Sequence, residues 1–88
     1  MGDDDKYIMI FASHSQAAFL YNELLKKSLK VEFVSTPAKI GSSCSKAIIF
    51  NFSDTKTVVE EVKKINAVVK SVYKMIKVEN NFDYIKIV

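Results

Sequence analysis

The chain has no arginine, no tryptophan, one cysteine, one histidine, one proline and two glycines in 88 residues. Each scarcity removes a class of protein. A single cysteine, Cys44, excludes an intramolecular disulfide, so a small core has to be held by packing alone. With one histidine beside that cysteine, a Cys/His zinc tetrahedron or an iron–sulfur cluster cannot be built within one chain, and no metal or other cofactor is expected. All thirteen basic residues are lysines, spread along the chain and interleaved with ten acids, for a net charge of +3. Nucleic-acid readers use arginine's planar fork in clustered basic faces, so a nucleic-acid partner is disfavoured. No apolar run approaches the ~18 residues of a membrane span, and no secretory leader opens the chain, so a cytoplasmic protein without membrane contact is expected.

What is present is a folding composition: 49% hydrophobic against 26% charged, with few chain breakers. The size fits one domain. Residues 1–6 resemble a tag remnant or a frayed terminus and are set apart, leaving residues 7–88 as the domain.

Residues 7–12, Tyr-Ile-Met-Ile-Phe-Ala, are short and continuously apolar, which predicts a central strand buried on both faces. Ser13-His14-Ser15-Gln16 matches a capping box, with the Ser13 hydroxyl taking the amide three residues on and Gln16 reaching back. Ala17, Leu20, Tyr21, Leu24 and Leu25 then form the apolar stripe of a first helix. Residues 31–36 read as an outer strand ended by Pro37, and residues 47–52 as a second central strand. After a cap at Ser53-Asp54, Val58, Val62 and Ile65 make the buried line of a second helix, with Glu60, Glu61, Lys63 and Lys64 in solvent and Asn66 as a left-handed stop. Residues 72–78 alternate as a fourth strand. A turn at Asn80-Asn81 leads to a tail that forms a fifth edge strand or is exchanged with a neighbouring chain. The order β-α-β-β-α-β predicts an α+β, ferredoxin-like two-layer sandwich, with both helices on one face of an antiparallel sheet. A small unstapled core and an apolar tail predict a homo-oligomer, a dimer through a sheet edge or the tail.

The chemistry is sought in the connection from Pro37 to Lys46. In this topology it lies at the same end of the sheet as the start of the first helix, which would bring Cys44 near His14. A helix N-terminus together with Lys39 and Lys46 favours the thiolate, so Cys44 is expected to titrate below the ~8.5 of a free thiol. Ser42, Ser43 and Ser45 offer hydroxyls to a sulfur or selenium anion, Ser13 and His14 adjoin from the helix start, and Gly41 permits a sharp turn. Across proteins a lone cysteine is more often a small semi-buried residue, but this polar, glycine-containing setting argues against burial. A histidine in a helix's first turn is more often solvated than a base, so His14 is the weaker candidate.

Phe11-Ala12-Ser13-His14-Ser15-Gln16-Ala17, Leu24-Leu25-Lys26, Val34-Ser35-Thr36-Pro37 and above all Ser42-Ser43-Cys44 running into an apolar strand resemble the selenium/sulfur carrier-like family of small bacterial proteins. The resemblance spans about residues 7–73. It implies a cytosolic domain whose Cys44 holds selenium or sulfur as a perselenide or persulfide and passes it between donor and acceptor proteins, a carrier more than an enzyme. The family's usual Ser-Ser-Cys-Gly has Ser45 in the glycine position here. The competing reading is a small regulatory or protein-interaction module that uses its sheet face or edge, with Cys44 incidental.

Overall fold

A computed structural model describes residues 5–41 and 45–87. Ser42, Ser43 and Cys44 therefore lie outside the described residues. The elements run β1 (Lys6–Phe11), α1 (His14–Lys26), β2 (Glu32–Ser35), β3 (Lys46–Asn51), a 3-10 turn (Phe52–Asp54), α2 (Thr55–Ile65), β4 (Val69–Val78) and β5 (Asn81–Lys86). All five strands form one antiparallel sheet in the order β2-β3-β1-β4-β5. The architecture is α+β, strand-helix-strand-strand-helix-strand-strand, with β5 adding to the six-element order read from the sequence.

The two most apolar strands, β1 and β3, are central and adjacent, paired from Lys6↔Asn51 to Ile10↔Ala47. That position follows from burial on both faces. Met9, Phe11, Ile48 and Phe50 point to one side and pack with Ala17, Leu20 and Leu24 of α1 and Val58 of α2. Ile8, Ile10 and Ala47 point to the other, where Ile40, Val34, Ile49, Tyr73, Met75 and Tyr84 cover them. Both helices thus serve one side. The opposite side is closed by the sheet's own aromatics and by the connection after β2.

β1 begins at Lys6, whose ammonium donates to Asn51 Oδ1 at 3.1 Å, and the Phe52 amide donates to the Asp5 carbonyl at 2.8 Å. Asp5 and Lys6 are therefore part of the fold, outside the boundary suggested by the acidic run. In α1, Leu25 is half exposed, because a residue one position past Leu24 sits ~100° around the helix and leaves the stripe. Asn66 ends α2 in the left-handed conformation, φ 54°, as its side chain favours. Asp54 stands at the N-cap without a side-chain cap bond, and Thr55 Oγ1 donates instead to the Phe52 carbonyl at 2.7 Å.

Glu61 departs most from the helical pattern. It is only 4% exposed, where the alternation of charges predicts solvent. Its carboxylate accepts the Lys64 ammonium at 3.2 Å and that of Lys27, the last residue of the α1 cap, at 3.5 Å, so it fastens one helix to the other. Burial alone would raise the pKa of Glu61, but the Lys64 hydrogen bond and the charges of Lys27 and Lys64 outweigh it and hold the carboxyl below its ordinary value. A carboxyl with a lowered folded-state pKa stabilises the fold above its unfolded pKa, and that contribution disappears as pH falls through the folded value. Glu61→Gln is therefore expected to lower the urea midpoint at neutral pH. The gap to wild type should close under acid, which chemical denaturation across a pH series would read.

Candidate functional site

The connection between β2 and β3 is pinched at its base. The Thr36 amide donates to the Ser45 carbonyl at 3.0 Å, and the Ser45 hydroxyl donates to Thr36 Oγ1 at 2.8 Å. These bonds extend the β2-β3 ladder by one pair beyond Ser35↔Lys46 and make a fixed neck at the base of the connection. Thr36, 2% exposed, is the buried half of that neck. Ser45 is its other half.

On leaving the neck the chain turns at once, with the Ile40 amide donating to the Pro37 carbonyl at 3.1 Å. Ile40 then packs against Ile8, Ile10 and Ala47 on the side away from the helices. Gly41 is constrained by space. Its φ is not positive, and a Cβ there would stand 2.9 Å from Thr36 Cγ2. The glycine admits close approach to a buried, stiff, β-branched side chain, where the sequence suggested a sharp turn. Gly41→Ala is expected to destabilise the protein by about 1–3 kcal/mol through overpacking. Adding Thr36→Ser, which removes the obstructing methyl and keeps the hydroxyl, should restore much of the loss in a urea titration.

At the start of α1, Ser13 caps as expected, its Oγ accepting the Gln16 amide at 3.2 Å and lying 3.1 Å from Ser15 Oγ. The reciprocal half of the capping box is absent. Gln16 Oε1 instead accepts the Val68 amide at 2.9 Å, while the Ala12 amide donates to the Val68 carbonyl at 3.1 Å. These two bonds dock the helix start onto the entry of β4. Tertiary demand prevails because the amide before β4 needs an acceptor, and Gln16 can reach it.

His14 is exposed and stands edge-on to the Phe33 ring, centroids 5.7 Å apart. Phe33, on the helix side of β2, stacks on Tyr21 at 5.4 Å and receives the Lys46 ammonium over its face at 5.5 Å. Lys46 also donates to Ser35 Oγ at 3.2 Å. Phe33 is thus the common platform for His14 and Lys46, a role its place in a weakly alternating strand does not reveal; its pairing with Ile48 puts it on the helix side. The platform brings a histidine, an ammonium and the first turn of α1 together beside the neck.

Lys39 takes no part in it. Its ammonium crosses to β5, donating to the Phe82 carbonyl at 3.1 Å, with Asp83 Oδ1 at 3.5 Å. The two lysines of the connection therefore diverge, Lys46 toward the helix side and Lys39 toward the sheet's far edge. Ser42, Ser43 and Cys44 complete the predicted set and lie outside the described residues. Among the described residues no group of histidine, cysteine and acidic side chains has the arrangement of a metal site, and no helix is long and apolar enough to cross a membrane.

A family model described as "Putative Se/S carrier protein-like" matches residues 6–74. The chain belongs to that family. The matched segment runs from the first residue of β1 into the middle of β4 and contains the neck, the Phe33 platform and Cys44, while β5 lies beyond it. No curated protein and no solved structure matches this chain.

Proposed function

We propose that this protein carries sulfur or selenium on Cys44. Membership of the carrier family, over a segment that contains Cys44, is the observation that carries the reading. The Cys44 thiolate attacks the outer sulfur of a donor's persulfide; a new S–S bond forms, the donor's S–S bond breaks, and the donor leaves as its thiolate. Cys44 then holds the persulfide, or the perselenide by the same steps, and an acceptor thiolate removes the outer atom in the same manner. Sulfane transfer of this kind needs no external oxidant. With a single cysteine no internal thiol can resolve the adduct, so donor and acceptor are other proteins and the chain works as a carrier, not as an enzyme with its own turnover.

The Lys46 ammonium, held over Phe33 beside the neck with His14 edge-on to the same ring, puts a positive charge at the base of the connection, and the Thr36–Ser45 pair keeps that base from fraying. The reading further takes the fold as a single ferredoxin-like domain extended by β5, acting in the cytoplasm and assembling as a homo-oligomer. Incubation with a cysteine desulfurase and cysteine, or a selenocysteine lyase and selenocysteine, followed by intact mass spectrometry, tests it. The expected result is a gain of one sulfur or one selenium that is reversed by reductant. A protein that stays unmodified under both conditions overturns the carrier reading.

A further inference from the structure

β5 is an edge strand with a particular arrangement of free backbone groups. Its register with β4 runs from Val78↔Asn81 to Tyr73↔Lys86, and the Ile87 amide continues it by donating to the Val72 carbonyl at 2.8 Å. In an antiparallel ladder the residues that bond inward alternate with those that bond outward. Asn81, Asp83, Ile85 and Ile87 thus spend their amides and carbonyls on β4. Phe82, Tyr84 and Lys86 turn theirs away from the sheet. One of these outward groups is occupied: the Phe82 carbonyl accepts the ammonium of Lys39. The edge also carries apolar surface, with Phe82, Ile85 and Ile87 all exposed.

We propose that the outer edge of β5 pairs antiparallel with β5 of a second copy of this chain, with Tyr84 on the two-fold axis, and that Lys39 is the latch that must release first. Self-complementarity selects this occupant and register. Centring on Tyr84 sets Tyr84 opposite Tyr84 of the second copy and Phe82 opposite Lys86 of the second copy, so all three outward residues exchange both backbone bonds. It also lays an ammonium near an aromatic ring on the same face. Centring on Asp83 would oppose two carboxylates, and centring on Ile85 would pair Phe82 with residue 88 of the second copy, beyond the bounds of β5. In the chosen register the Phe82 carbonyl accepts from the second copy's Lys86 amide, so Lys39 and the neighbouring strand compete for one acceptor. Lys39 lies in the connection that bears Cys44, and dimerisation therefore frees that connection from β5. The pairing stands whether or not Cys44 carries sulfur.

Sedimentation over the micromolar to millimolar range tests the proposal. Lys39→Ala should strengthen association by about two- to fivefold, the worth of one exposed charged contact. Tyr84→Lys and Tyr84→Glu, each alone, set like charges against one another on the axis and should be monomeric, whereas an equimolar mixture should dimerise. Hydrogen exchange of the wild type gives a reading that needs no variant: the Phe82, Tyr84 and Lys86 amides should gain protection as concentration rises, while those of Asp83 and Ile85 are protected throughout. A Lys39→Ala protein that stays monomeric across the range overturns the proposal. So does a dimer whose Tyr84 amide exchanges as freely as in the monomer, which would place the interface elsewhere, and so does a charge-swapped mixture that remains monomeric while the wild type dimerises.

Discussion

Cys44→Ser is expected to abolish the sulfur or selenium adduct completely while leaving the urea midpoint within error of wild type. The loss should be total because the chain has no second thiol to accept the transferred atom, and a serine hydroxyl at neutral pH is too weakly acidic to supply a comparable nucleophile. The fold should survive because the substitution exchanges one atom, sulfur for oxygen, and the described core of the sheet and helices is built without Cys44. Lys46→Ala, by contrast, should leave the adduct intact and slow its formation by about two- to fivefold, the scale of one partly exposed charge near the reacting anion. His14→Ala should do less. An adduct that persists in Cys44→Ser would place the chemistry on another group and end the carrier assignment.

Phe50→Ala is expected to leave the protein largely unfolded at 37 °C. Phe50 is 1% exposed, on β3, stacked with Tyr7 at a centroid distance of 6.1 Å and enclosed by the helix-side core. Truncating such a ring costs about 3–5 kcal/mol, transfer and cavity together. A domain of this size, with no disulfide, sits near the low end of the roughly 5–15 kcal/mol range of native stability, so the loss approaches the whole. Phe19→Ala removes the same ring from a site 53% exposed on α1 and should cost less than about 0.5 kcal/mol. Paired urea titrations of the two variants separate burial from hydrophobicity as such. Equal losses would show that the helix-side core is not where the stability lies.

Much of this fold is legible in local pattern, for a physical reason. β1 and β3 are apolar without alternation because both their faces are covered, and that alone places them at the centre of the sheet. The α1 stripe, the Ser13 cap and the Asn66 stop are properties of single turns of helix, decided within a few residues. Pro37 stands two residues past the end of β2, where the chain turns. The resemblance carried by Ser42-Ser43-Cys44 and the segments around it names the same family that the match over residues 6–74 shows.

The remaining features depend on which side chains meet across the fold, and no local pattern encodes that. Glu61 reads as a solvated charge until Lys27 of the other helix arrives to neutralise it. Gln16 reads as the second half of a capping box until the entry of β4 offers an amide that needs an acceptor. Lys39 and Lys46 are equivalent by spacing, yet the turn at Pro37 folds one beneath the sheet toward β5 while the β3 pleat lifts the other onto Phe33. By itself the sequence determined the two helices, the first four strands and their order, the central strands and the one thiol, because these rest on periodicity, caps and composition, while it left the tail open between an edge strand and an exchanged segment. Only the tertiary structure decided which lysine sits on the platform beside that thiol's connection and which edge the connection is tied to, because those depend on contacts between residues 13 to 43 positions apart, such as Phe33 with Lys46 and Lys39 with Phe82.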